Sequence, residues 1–465
     1  MRAVVLVPLR AEERRARPAN GKRLPASAAP PRSPEDRLEE AVGLAKAIDL
    51  EVRVAEIVPL ARPQAATLIG SGKVAELAAL VAEHEAGLAI VDHPLNAIQQ
   101  RNLEKAWNCK VLDRTGLILE IFGERALTRE GRLQVELAHL TYQKGRLVRT
   151  WTHLERQRGG FGFLGGPGEA QIEADRRLIE ERIVSIRKDL AGVVKTRALH
   201  RRGRKRVPLP VVAIVGYTNA GKSTLFNRLT GAGVVARDQV FATLDPTMRE
   251  VRLPSGRRMV LSDTVGFISD LPTTLVAAFR ATLEEVIEAD LILHVRDISH
   301  AESEAQRRDV EVVLGELGID AAAADAALLE VWNKADRLAP AARAEAASAI
   351  ARSERPPVLV SALNGDGIAD LLRAIDARLG AKDEMLTLEI PPHEGRLLSW
   401  LHENTDVEAQ ETADTGAVSV RLRIDPAVRG KLEGQLKRAG LVPSPACAGG
   451  GARPVMGRKV FSRGG

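Results

Sequence analysis

Gly216, Gly221, Lys222 and Ser223 stand in the run GYTNAGKST: a glycine, four residues, then Gly-Lys-Ser. Residues of these types at this spacing hold phosphates. Glycines let backbone N–H groups point inward, a lysine ammonium reaches β/γ oxygens, and a serine hydroxyl ligates Mg2+. The candidate phosphate loop is Gly216, Tyr217, Thr218, Asn219, Ala220, Gly221, Lys222, Ser223 and Thr224. It sits between the strand-like VVAIV, Val211–Val215, and a helical segment from Lys222. That is the strand–loop–helix context such a loop requires.

Kinases, ATPases and GTPases share this loop, and downstream residues separate them. Asp263-Thr264-Val265-Gly266 ends an apolar strand. There a carboxylate holds Mg2+ through water and the Gly266 N–H faces a γ-phosphate. Asn333-Lys334-Ala335-Asp336 follows another strand. The Asp336 carboxylate can accept from the N1–H and the 2-amine of guanine, a donor pair that adenine lacks. The Lys334 stem lies on the base, and Asn333 ties its loop back to the phosphate loop. Ser361-Ala362-Leu363 comes after a third strand, where backbone N–H meets the guanine O6. Each match is short, but four in this order at strand ends define a guanine-nucleotide site. A nucleotide kinase is a poor alternative, because NKAD serves no kinase chemistry.

Between the first two motifs lies RDQVFATLDPTMREV, Arg237 to Val251, the natural place for a mobile switch. Thr243 and Thr247 both qualify by type as its Mg2+ ligand. Phe267 follows the DxxG glycine, where many signalling GTPases carry a water-positioning glutamine. Phenylalanine accepts and donates nothing, so intrinsic hydrolysis is expected to be slow unless another group or a cation assists.

These motifs need a parallel sheet to carry them, and the chain is long enough for more. Its 465 residues suit about three domains. The fold class expected is multidomain α/β. Val-rich AVVLVPL, Ala3–Leu9, reads as a buried first strand, and residues 10 to 37 as a loop. Helix, strand, helix, strand, helix, strand then alternate from about Pro34 to KVLDR, which implies a parallel sheet. From Ala126 to Trp151 the pattern is helical and basic. A glycine-rich loop, Gly159–Gly168, interrupts it, and a charged helix runs from about Ala170 toward Arg197. Lys195–Arg206 carries seven basic residues in twelve and reads as a linker. The region from about Met385 mixes short strands and helices. His139 and Tyr142 read as packing residues.

The formal net charge of +6 leans toward a polyanionic partner. The only cysteines, Cys109 and Cys447, are far apart, which points to a reducing compartment, no disulfide framework and no zinc site. No apolar run reaches the ~18 residues that span a bilayer, so no transmembrane segment and a cytoplasmic location are expected.

The sequence resembles the HflX family of ribosome-associated GTPases over nearly its whole length. The resemblance rests on TLIGSGKVAEL, VLDRTGLILEIFGERA, EGRLQVELAHLTYQ, GGPGEAQIEADRR, GYTNAGKSTLFNRLT, DQVFATLDPTMR, DTVGFI and NKAD. It implies an amino-terminal α/β domain (1–125), a helical pair with the glycine-rich loop and basic segment (126–206), a Ras-like G domain (207–382) and a small α+β carboxy-terminal domain with a tail (383–465). It implies GTP hydrolysis coupled to the large ribosomal subunit and its rRNA, with splitting or rescue of stalled ribosomes, by a monomer off the ribosome.

The family's FATLD places Phe241, Ala242, Thr243, Leu244 and Asp245 at the nucleotide and favours Thr243, with Ser223, as metal ligand. Lys222, Thr243 and Gly266 are then the catalytic set, and Asn219 matches an asparagine that related GTPases use to hold K+. Departures are Ala170 and Ala174, where threonines are common, and Arg296, where a small or apolar residue is usual. Phe161 or Phe163 could stack on RNA bases, and the basic segment could contact the rRNA backbone. The alternative is a regulatory G protein that switches a protein partner. Without a phosphate loop of its own, the amino-terminal domain is expected to hold no nucleotide.

Overall fold

The computed structural model describes residues 1–10, 33–157, 167–204, 209–231, 241, 247–269, 285–319, 327–381, 383–413, 415–424, 426–441 and 444–445. The chain divides into two compact units, Met1–Leu253 with Arg258–Ile375, and Pro254–Arg257 with Asp376–Gly465.

The first unit opens on β1 (Arg2–Arg10), whose residues 3–9 are all buried. Burial on both faces explains why its sequence is continuously apolar rather than alternating. It is an inner strand of a four-stranded sheet with β2 (Glu51–Leu60), β3 (Leu88–Val91) and β4 (Lys110–Asp113) in the order β2-β1-β3-β4, every pair parallel. Helices Pro34–Ala47, Ser71–Glu83 and Ala97–Trp107 make the crossovers. Ser33 caps the first, accepting from Asp36 N–H at 3.0 Å, and Asn96 with Gln99 forms a capping box on the third.

The run RTGLILEIFGER, unassigned by sequence, is helix Arg114–Arg125, capped by Asp113. Leu117, Ile121 and Phe122 pack in one core with Val5, Val7 and Leu44, and that core continues into Val215, Tyr217, Phe241 and Phe267. The nucleotide-binding part therefore shares a hydrophobic core with the amino-terminal sheet.

Helices Arg129–Gln157 and Pro167–Arg204 pair through Arg182–Glu136 and Lys144–Glu180 ion pairs. The expected stop near Arg197 and the linker reading of Lys195–Arg204 are corrected here, while Lys205 and Arg206 lie outside the described residues. The helix continues to Arg204, because Lys and Arg are good helix formers and no proline intervenes before Pro208. Tyr142 packs as expected, its hydroxyl donating to Asp113 and its ring lying under Arg146.

A six-stranded sheet holds the four nucleotide motifs. Its order is β10 (Val358–Leu359), β9 (Leu328–Asn333), β8 (Leu291–Asp297), β5 (Val211–Gly216), β7 (Arg258–Asp263) and β6 (Thr247–Arg252). Only β6 runs antiparallel to its neighbour. In such a sheet, ligands gather beyond the carboxyl ends of the parallel strands. The phosphate loop follows β5, DxxG follows β7, NKAD follows β9 and Ser361 follows β10, all on that side.

The second unit is an antiparallel sheet, β12 (Asp406–Thr412), β13 (Val418–Ile424), β11 (Glu384–Ile390) and β14 (Ser444–Pro445) in that order. Helices Gly395–Asn404 and Pro426–Arg438 close its core of Leu388, Leu401, Val420, Leu422 and Leu432.

Candidate guanine-nucleotide site

The glycines of the phosphate loop are dictated by their surroundings. Gly216 has φ +154°, and a Cβ there would lie 2.2 Å from the Val295 carbonyl on β8. At Gly221, φ +90°, a Cβ would meet Asn333 Nδ2 at 2.3 Å. Asn219 takes the left-handed region at φ +58°, which asparagine tolerates better than most side chains. Helix Lys222–Thr230 starts directly after the loop, so its first N–H groups face the space where an anion would sit.

Lys222 is buried, and its Nζ donates to the Tyr217 carbonyl at 2.7 Å. Burial pushes its pKa down to about 8, against the opposing pull of Asp263. A poorly solvated ammonium with few competing partners is well suited to bind phosphate oxygens.

Ser223 Oγ donates to Asp263 Oδ2 at 2.8 Å. A hydroxyl and a buried carboxylate placed together are hard oxygen donors of the kind Mg2+ takes, with waters completing its octahedron. These residues fit Mg2+: Ser223 would bind directly and Asp263 through water, and the ion would offset charge on the β/γ oxygens. Among the described residues no three His, Cys, Asp or Glu side chains cluster as a metal site.

Thr247 heads the edge strand β6, paired with Asp263 of β7. Thr243 lies outside the described residues, as do Ala242, Leu244 and Asp245.

The DxxG segment is pressed onto the phosphate loop. Thr218 N–H donates to the Phe267 carbonyl at 2.7 Å, and Phe267 N–H to the Gly216 carbonyl at 3.1 Å. A Cβ on Gly266 would stand 2.9 Å from Thr218 Cγ2 and 3.1 Å from Lys222 Nζ, so any other residue would push these side chains aside. Thr264 Oγ1 donates to the Ile214 carbonyl at 2.6 Å, and Val265 joins the core. The Phe267 ring is fully buried in that core.

In the base-binding part, Asn333 Nδ2 donates to the Ala220 carbonyl at 2.9 Å and its Oδ1 accepts from Ala362 N–H at 3.0 Å. One side chain thus joins three loops. Asp336 Oδ1 accepts from Ser361 Oγ at 2.6 Å, which orients the carboxylate. Ala335 is buried and its N–H donates to the Val360 carbonyl at 3.1 Å, while Leu363 is 67% exposed at the site's rim.

Residues not foreseen complete the arrangement. Asp297, at the end of β8, pairs with Lys334 Nζ at 2.8 Å. Burial alone would raise its pKa, but Lys334 and Ser299 outweigh it and the net shift is downward. The acid closing HVRD on the strand beside the phosphate loop was the available signal. Arg228 fixes the third loop by donating to the Ala362 carbonyl at 3.1 Å and to the Leu363 carbonyl. Arg296, the departure on β8, is buried between Glu330 at 2.9 Å and Glu304, which compensates its charge.

Models of four families match the chain in succession: "GTP-binding GTPase N-terminal" over 35–123, "GTP-binding GTPase Middle Region" over 125–204, "50S ribosome-binding GTPase" over 211–334 and "HflX C-terminal domain" over 347–445. A GTPase HflX of Magnetococcus marinus is 52% identical over 87% of this chain and 91% of its own. That of Escherichia coli is 46% identical over 78% and 83%. The chain belongs to the HflX family of GTPases. As an HflX GTPase it binds GTP and hydrolyses it to GDP and phosphate. A solved GTP-binding protein of Sulfolobus solfataricus, in complex with GDP, covers 81% of this HflX chain and 98% of its own at 23% identity and a TM-score of 0.42. No helix among the described residues is long and apolar enough to cross a membrane.

Proposed function

We propose that this HflX-family GTPase binds the large ribosomal subunit in its GTP state, uses hydrolysis to leave, and so serves the splitting or rescue of stalled ribosomes. One observation carries the reading. Lys195–Arg204, most of the basic run, lies on helix Pro167–Arg204, and only six residues separate that helix from the strand of the phosphate loop. A phosphate-seeking surface is thereby coupled to a nucleotide switch. The matching "50S ribosome-binding GTPase" description of residues 211–334 supports it.

On this reading 1–125 and 126–206 form the rRNA-facing part, 207–382 the switch and 383–465 an accessory domain. Lys222, Gly266 and Thr243 contact the γ-phosphate in the reactive state, with Ser223 and Thr243 on Mg2+. Asn219 holds K+ beside the phosphates. Asn333, Lys334, Asp336 and Ser361–Leu363 hold the guanine. The factor acts in the cytoplasm and is a monomer off the ribosome.

The test is co-sedimentation with purified subunits in GDP and in a non-hydrolysable GTP analogue. Retention on large subunits, tighter with the analogue, is expected. Absence from both subunits in both nucleotides would instead favour a G protein that switches a protein partner.

A further inference from the structure

Two polar ends of Tyr217 face different parts of the molecule. Its backbone carbonyl accepts from Lys222 Nζ at 2.7 Å, inside the phosphate loop. Its hydroxyl donates to Glu40, on helix Pro34–Ala47 of the amino-terminal sheet, and accepts from Ser269 N–H at 2.9 Å. Ser269 lies three residues past Gly266, and its polar groups are all engaged. Its Oγ donates to Glu40 Oε1 at 2.8 Å, while Arg114 Nη2 donates to its carbonyl at 2.9 Å and approaches its Oγ at 2.8 Å. Arg114 is itself held by Asp92, at 2.6 Å, and by Glu40. Burial opposes its charge, but these carboxylates outweigh it and raise its pKa.

An apolar contact runs beside the polar one. The Phe122 ring meets Phe241, two residues before Thr243, edge-on with centroids 4.7 Å apart. At the start of the helix, Ser33 N–H donates to Glu302 at 2.9 Å.

We propose that Glu40 is a positioning residue that couples the nucleotide site to the amino-terminal α/β part. Its two carboxylate oxygens hold the phosphate loop, through Tyr217, and the segment after DxxG, through Ser269, in one arrangement. Phosphate oxygens compete with the Tyr217 carbonyl for the Lys222 ammonium, and a γ-phosphate draws on the Gly266 N–H. Both events act on residues that Glu40 grips, so helix Pro34–Ala47 reports which nucleotide is bound. Such coupling exists only where the two states differ in their contacts, and it is reciprocal. The inference rests on the guanine-nucleotide site and not on the ribosomal reading, so failure of either leaves the other standing.

Amide hydrogen exchange of the full chain, saturated with Mg2+ and either GDP or a non-hydrolysable GTP analogue, tests it. Exchange of Pro34–Ala47 should differ between the two states by about fivefold or more. Glu40→Gln should bring that ratio to one, and Ser269→Ala, which leaves the Arg114–Glu40–Asp92 cluster intact, should at least halve it. A merely structural Glu40 would raise exchange equally in both states and preserve the ratio. A wild-type ratio of one, or a full wild-type ratio in Glu40→Gln, overturns the proposal. If Glu40→Gln fails to fold, a full ratio in Ser269→Ala overturns it.

Discussion

Asn333 Nδ2 lies 2.9 Å from the Ala220 carbonyl, so the NKAD loop after β9 is bonded directly to the glycine-rich loop after β5. The same side chain accepts from Ala362 N–H. Asn333→Ala would strand two buried backbone groups, at about 1–3 kcal/mol each. The expected outcome is a loss of about 2 kcal/mol or more in denaturant unfolding and at least a tenfold weaker GDP affinity by calorimetry. Unchanged affinity would separate the two loops.

Lys222, with a pKa pushed down to about 8, makes nucleotide binding pH-dependent. Phosphate binding restores the charge, so above pH 8 the complex holds more protons than the free protein. Affinity therefore falls as pH rises. It should be flat below about pH 7.5 and weaken by up to about tenfold per pH unit above 8. Calorimetry in buffers of different ionisation enthalpy should show net proton uptake at pH 9 and none at pH 6.5. Lys222→Ala should remove tight GTP and GDP binding altogether.

Asp336 is oriented by Ser361 Oγ at 2.6 Å, and on the proposed reading its carboxylate accepts from the guanine base. Asp336→Asn replaces an acceptor with a donor able to face the C2 oxygen of xanthine. GDP affinity should drop by about 100-fold or more while XDP affinity rises. Competition binding of the two nucleotides decides it, and retained preference for guanine would remove Asp336 as the reader.

The Phe267 ring is fully buried, which leaves no side chain at that position to orient water. Hydrolysis by the free protein is therefore expected to be slow in Na+ and faster in K+, with the difference lost in Asn219→Ala. Single-turnover rates in the two salts are the measurement. Equal rates would exclude the monovalent ion and leave the GTPase itself untouched.

The four motifs stand at strand ends as their short local patterns implied, and the parallel sheet brings those ends together. Val4 to Val7 announced an inner strand by being apolar on both faces. Helix Arg114–Arg125 was not legible, since burial on several sides erases the amphipathic period that marks a helix. The reach of helix Pro167–Arg204 was hidden by its arginines, which look like a linker but favour helix. Asp297, Arg228, Glu40 and Arg114 each act through a partner far along the chain, 37, 134, 229 and 155 residues away, and no local pattern encodes such pairings.

GTP turnover in the presence of increasing purified large subunits tests the account most directly. The account predicts saturable stimulation that weakens as salt rises, absent with small subunits. It also predicts that neutralising Arg201, Arg202, Arg204, Lys205 and Arg206 together flattens the salt dependence while nucleotide affinity of the free protein is kept. A turnover rate indifferent to large subunits at every salt concentration would contradict it.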